Sequence, residues 1–259
     1  MKLIPKLPRF KTIAFYALII GLYVLLLSFA DRLAIDSTDR EVIGNTLEWF
    51  GVPYGVLLAL VVVEAWRWNN LVTNEIDREA DALVSMLKTA RYIHNRKFLS
   101  TIARKLRDYA QAVLDSGNQN ENRITRITGL LDDIHREVGT FIAGPSGSTI
   151  LKGEMLRYVN EALDIRGDRL AHLEEKMHPA LWFLLLFTSI AWTIGFFSLE
   201  LNSKIVLVII SGVVMFTVFT IIYVVWDLRF SAKDYMKTKR NSFQVLSDEA
   251  QNILNTLTS

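Results

Sequence analysis

The chain has 259 residues, of which 51% are apolar and 22% charged, with a formal net charge of only +2. No cysteine is present, which excludes disulfides, thiolate metal sites and thiol catalysis. Four scattered histidines (94, 135, 172, 178) have no metal-ligand spacing, so neither a metal nor another cofactor is expected.

A basic N-terminal flank (Lys2, Lys6, Arg9, Lys11) leads into an uncharged run at 12–30, about as long as the ~20 residues that cross a bilayer. Its length favours a retained span; the other reading, a cleaved signal ending near Ser28-Phe29-Ala30, is disfavoured because signal cores run to only ~7–15 residues. A second run, WFGVPYGVLLALVVV at 49–63, lies between Glu48 and Glu64 and reaches spanning length with its flank to Trp66. The bland reading is a buried core helix, but the Trp49, Trp66, Arg67 and Trp68 cluster at its ends has the composition of an interfacial belt. Gly51, Pro53 and Gly55 lead us to expect an irregular backbone there, tolerable in a membrane only where protein or water covers it.

Residues 67–178 carry helical rather than strand periodicity. Apolar positions recur at Val72, Ile76, Ala80, Leu83, Leu87; at Leu99, Ile102, Leu106, Tyr109, Val113; and at Ile124, Ile127, Leu131, Ile134, Val138. The fourth helix, near 150–176, follows the loop AGPSGST, where Ser148 or Thr149 is the expected cap. Four such stripes predict a helical bundle or paired hairpins. On the fourth helix, Arg166 interrupts an otherwise apolar series, Val159, Leu163, Leu170 and Leu173. A guanidinium in a packed seam needs a carboxylate, and the candidates are Asp132, Asp133 and Glu137, or Glu75, Asp77, Glu79 and Asp81. Arg169, with Asn160 and Asp164, is expected in the same network, as a structural ion pair or as an anion-binding or subunit-contact site.

Pro179 opens a third span at 180–199 and is expected to bend or hinge the chain there. Five residues later a fourth span runs over 205–226. Ala191 and Gly195 in the third span, with Ser211 and Gly212 in the fourth, permit close helix approach. A last amphipathic stripe, Phe243, Leu246, Ala250, Ile253 and Leu257, needs a docking face. The expected fold is an all-α membrane protein with four transmembrane helices in two hairpins and a cytoplasmic helical bundle. Its boundaries are 1–66, 67–178, 179–227 and a tail at 228–259. Placing Lys and Arg inside leaves only Arg32, Arg40 and Lys204 outside, so both termini face the cytoplasm of an inner (plasma) membrane.

Spans one, three and four hold no ionisable residue except tyrosine, which disfavours a proton relay. Span two is the pore candidate through Pro53, Leu57, Leu60 and Glu64, with simple packing among its neighbours as the other reading. A glutamate at the mouth favours cations unless it is turned to a partner such as Arg67. No nucleophile–base pair or phosphate loop points to an enzyme, and interspersed charges give nucleic-acid binding no support.

The span order, the runs RWNNLVTNEIDREADAL (67–83) and RDYAQAVL (107–114), and VNEALDIRGDRL followed by HPALW (159–182) resemble a bacterial bestrophin-like membrane-protein family of unknown function. Bestrophins proper are similar in span order, and the resemblance implies a homo-oligomeric ion channel, anions favoured, with the lipid bilayer and small inorganic ions as its partners. The alternative is a non-conducting membrane-anchored scaffold or sensor acting through its cytoplasmic helices. After span four, WDLRFSA (226–232) keeps Asp227 and Phe230 of the family's corner and lacks its proline. An acidic calcium clasp is absent from the tail, so calcium gating is not implied.

Overall fold

The protein is described here by a computed structural model over residues 9–30, 37–115, 121–142, 146–175, 178–198, 204–230 and 240–258. Its described residues form α1 (Arg9–Ala30), α2 (Ser37–Arg91), α3 (Arg96–Asp115), α4 (Glu121–Thr140), α5 (Ser146–Glu174), α6 (Pro179–Ser198), α7 (Lys204–Phe230) and α8 (Arg240–Thr258). Most of the basic N-terminal flank, the connection after α6 and residues 231–239 lie outside the described set, with the orientation arguments that rest on them.

The chain divides into two compact units, Met1–Arg67 with Lys176–Arg229, and Trp68–Glu175 with Phe230–Ser259. Described helices at Glu41–Arg91, Pro179–Phe197 and Val208–Leu228 are long and apolar enough to cross a membrane. A shorter apolar stretch, Ile13–Leu26, lies in α1. Val61, Ala65, Leu185 and Val225 bind α2, α6 and α7 together, while Ile19, Phe197 and Met215 join α1 to α6 and α7.

The glycines explain two close approaches. A Cβ at Gly195 would stand 2.9 Å from Leu47 Cδ2 of α2, and one at Gly212 would stand 3.3 Å from the Tyr23 oxygen of α1. Tyr23 uses that space to donate to the carbonyl of Val208 at 2.5 Å.

The second unit is built on one large core. It contains Val72, Ile76, Leu83 and Leu87 of α2, Ile102, Leu106 and Val113 of α3, and Leu131, Ile134 and Val138 of α4. Met155 and Val159 of α5 and Phe243, Leu246 and Ala250 of α8 complete it. Each set recurs at three- or four-residue spacing, so one face of each helix is buried. The tail stripe therefore has its docking face within the chain: α8 packs on α3, and Ser242 donates to Asp77 Oδ1 at 2.7 Å.

Local signals set the ends. His94 closes the turn after α2 with φ 55°, and Asn95 Oδ1 accepts from the Phe98 N–H at 3.0 Å, capping α3. Lys152 of α5 donates to the carbonyls of Gly139 and Phe141 at 2.8 Å each, where α4 runs out of internal donors. Ser148 and Thr149 do not cap α5, which already begins at Ser146.

Candidate functional site

The apolar stretch of α2 is continuous helix through Gly51, Pro53 and Gly55, against the expectation of an irregular backbone. Pro53 costs the helix one N–H donor, but the fixed proline φ is itself helical and the chain turns on without a break. Around this helix exposure is one-sided. Val52, Val56, Leu60 and Val63 are all more than half exposed, at 74%, 55%, 62% and 62%, and follow one another at helical spacing.

This stripe lies in a stretch without charge, Trp49 to Val63, and it shares only Leu60 with the set Pro53, Leu57, Leu60 and Glu64. At about 100° per residue, the stripe centres on Val56 and Val63, and Leu60 lies at its edge. Pro53 and Glu64 are exposed on one flank of it. Leu57 is half-buried and packs against the Val61, Ala65, Leu185 and Val225 cluster. Glu64 and Arg67 are both exposed.

The other chemically distinctive place lies inside the second unit. Glu79 of α2 is fully buried, and Arg169 Nη2 of α5 lies 2.5 Å from its Oε2. Arg166 Nη1 lies 3.8 Å from Oε1 of the same carboxylate. The Tyr109 hydroxyl of α3 donates to Glu79 Oε1. Arg166 also donates to Thr128 Oγ1 at 3.2 Å and to the Ile124 carbonyl at 3.4 Å, both on α4.

Four helices thus meet at two guanidiniums and one carboxylate, with Arg166 4% and Arg169 1% exposed. Burial first, and the Glu79 charge second, push the Tyr109 phenol well above its ordinary pKa, so it stays a neutral donor. One turn along, His172 Nδ1 stands 2.8 Å from Glu75 Oε1, and Trp68 Nε1 donates to the His172 carbonyl at 2.9 Å. The arrangement ties α2 to α5, and among the described residues no group of three or more His, Asp or Glu side chains is placed to hold a metal ion.

Of the carboxylates weighed for Arg166, Glu79 is the one it meets. Asp133 instead pairs with Arg136, and Glu137 with Lys105 at 3.2 Å. Asn160 and Asp164 do not join the network. Both are exposed and line a polar surface recess with Arg78 and Arg157, because they lie on the opposite side of α5 from Arg166. Tyr109 and Thr128 were missed as partners: Tyr109 sits in an apolar stripe and reads as core, and a threonine on a polar helix carries no signal. Pro179 is the first residue of α6, where His178 Nδ1 accepts from the Ala180 N–H at 3.2 Å.

Residues 13–230 match the Bestrophin-like domain family. No curated protein matches the sequence. Among solved structures, a bacterial bestrophin homologue from Klebsiella pneumoniae bearing a point substitution is similar with TM-score 0.69 and 14% identity, over 93% of this chain and 99% of that one. A second substituted form of that homologue is similar with TM-score 0.67 and 14% identity, over 93% and 99%. A variant described only as a membrane protein gives TM-score 0.69 and 13% identity, over 93% and 98%. At such identities the likeness is one of fold, and it agrees with the all-helical architecture and the apolar helices of a membrane protein. With the family match covering most of its length, the chain belongs to the bestrophin-like family.

Proposed function

We propose that the protein is a homo-oligomeric ion channel of the inner membrane, with anions as the favoured ions. The observation that carries the reading is the α2 face from Val52 to Val63, apolar and turned away from its own unit in a chain of the bestrophin-like family. An uncharged ring of such faces around a common axis makes a constriction that wets or dewets, and Leu60 is the stripe residue nearest the Glu64 flank. In this reading the apolar stretch of α1 is a fourth span, the spans form two hairpins, and both termini with residues 67–178 and 228–259 are cytoplasmic. Glu64 then stands at the cytoplasmic mouth and works against anion entry, which makes its charge the determinant to vary.

The Glu79, Arg166 and Arg169 cluster is assigned a structural role, fixing α2 against α5 within the second unit. Imaging of particles purified in a mild detergent, with chloride and potassium flux from liposomes carrying the same sample, tests the proposal. A symmetric ring with flux altered by Leu60 or Glu64 substitutions supports it. A monomer or dimer without flux ends it, and leaves a non-conducting scaffold acting through the second unit.

A further inference from the structure

Within the first unit, α2 and α6 diverge around a groove of about 650 Å³, large enough for a substantial organic ligand. Leu47, Pro53 and Leu57 line one wall, and Phe187, Ala191 and Trp192 the other. Its polar side chains are satisfied locally. Thr46 donates to the Val42 carbonyl at 2.7 Å, Thr188 to the Leu184 carbonyl at 2.6 Å, and Tyr54 shares a hydrogen bond with Ser189 at 2.8 Å. The exception is Trp192, whose indole N–H is buried and has no acceptor among the described residues.

Depth decides what can fill this groove. The Trp192 ring lies against Gly51, within one turn of Glu48, the acid that bounds the apolar stretch. That is the level at which glycerol ester groups meet hydrocarbon. From Trp192 to Leu184 is eight residues of helix, about 12 Å, close to half of a hydrocarbon core of about 30 Å.

We propose that the groove binds a membrane phospholipid, its ester carbonyl beside Trp192 and one acyl chain running past Tyr54 to Leu57. With the N–H itself shielded, the contact needs a small turn of the indole toward the groove. A second copy of the chain is the competing occupant, and the chemistry disfavours it. An apolar helix face uses its carbonyls internally, offers the indole no acceptor, and at about 10 Å across lies over a groove rather than in it. The site does not depend on conduction, and it requires only that the groove stay open to lipid in the assembled protein.

The test uses the full chain in mild detergent, titrated with a phosphatidylethanolamine brominated on its acyl chain. Tryptophan quenching assigned to Trp192 is the difference between the natural chain and Trp192→Phe. Saturable quenching is expected, with affinity about tenfold or more weaker in Ala191→Phe, which fills the groove, and unchanged in Ile209→Phe, exposed on α7 and outside the groove. Co-purified phospholipid, measured by mass spectrometry, should fall by the same substitution, which keeps the test independent of Trp192→Phe folding. Non-saturating quenching equal in all variants, or no quenching in an oligomer whose neighbouring copy closes the groove, overturns the proposal. Flux measured alongside is not a readout of it.

Discussion

Replacing Glu79 by glutamine should unfold the second unit far more readily than its nearly identical shape suggests. The substitution keeps an acceptor for the Tyr109 hydroxyl and removes one negative charge from a fully buried position. Arg169, at 2.5 Å, and Arg166, at 3.8 Å, then face each other with no anion between them. At about 4 Å between charge centres and an effective dielectric of about 20, one such pair is worth ~4 kcal/mol. Removing one partner of a buried ion pair costs about 3–5 kcal/mol. For a body of this size about 3–4 °C accompanies each kcal/mol, giving a fall of roughly 10–20 °C. Thermal unfolding of the full chain in detergent, followed by helical circular dichroism, measures it. A Glu79→Gln transition within about 3 °C of the natural chain would show that the carboxylate does not neutralise the two arginines.

The arginines should be unequal. Arg169→Met strands Glu79 with a distant partner and should cost about 3–5 kcal/mol, while Arg166→Met leaves the shorter pair intact and should cost about 1–2 kcal/mol; paired melting curves read the order. Tyr109 should stay protonated in alkali while the chain is folded. Because its folded pKa is raised, its contribution to stability is complete below the unfolded value near 10 and declines as pH rises beyond it; ultraviolet titration of the natural chain and of Tyr109→Phe should give the same phenolate absorbance until unfolding begins, after which the natural chain gains one more. Gly195→Leu should drive a side chain into Leu47, where even a Cβ stands at 2.9 Å, costing about 1–3 kcal/mol. A detergent melting temperature unchanged by that substitution would place α6 farther from α2.

Much of the fold is legible because apolar periodicity and apolar length survive in any context. The stripes of α3, α4 and α8 are buried where their spacing puts them, since an amphipathic helix has one face to hide. The carboxylate demanded by Arg166 was also legible as a class, because a guanidinium cannot be buried alone. Which carboxylate it is depends on helix rotation and register across the bundle, and these are tertiary quantities with no local sequence signal. Asn160 and Asp164 show the same limit: being near Arg166 in sequence did not put them on its side of α5. The exposed face of α2 was misplaced by about one residue position for a similar reason, because every side chain from Phe50 to Val63 is apolar, aromatic, glycine or proline and such a helix has no polar side to orient it. Gly51 and Pro53 suggested a break, yet proline's φ suits a helix and the glycine makes room for Trp192.

The central claim is that the uncharged face of α2 lines an ion path. Planar-bilayer recording of the purified oligomer in a potassium chloride gradient tests it most directly, with Leu60→Ala and Glu64→Gln beside the natural chain. The account predicts a current whose reversal potential lies on the chloride side, a larger conductance in Leu60→Ala, and a further shift toward chloride in Glu64→Gln. Absence of current from a sample shown to be folded and inserted, or currents indifferent to both residues, would contradict it.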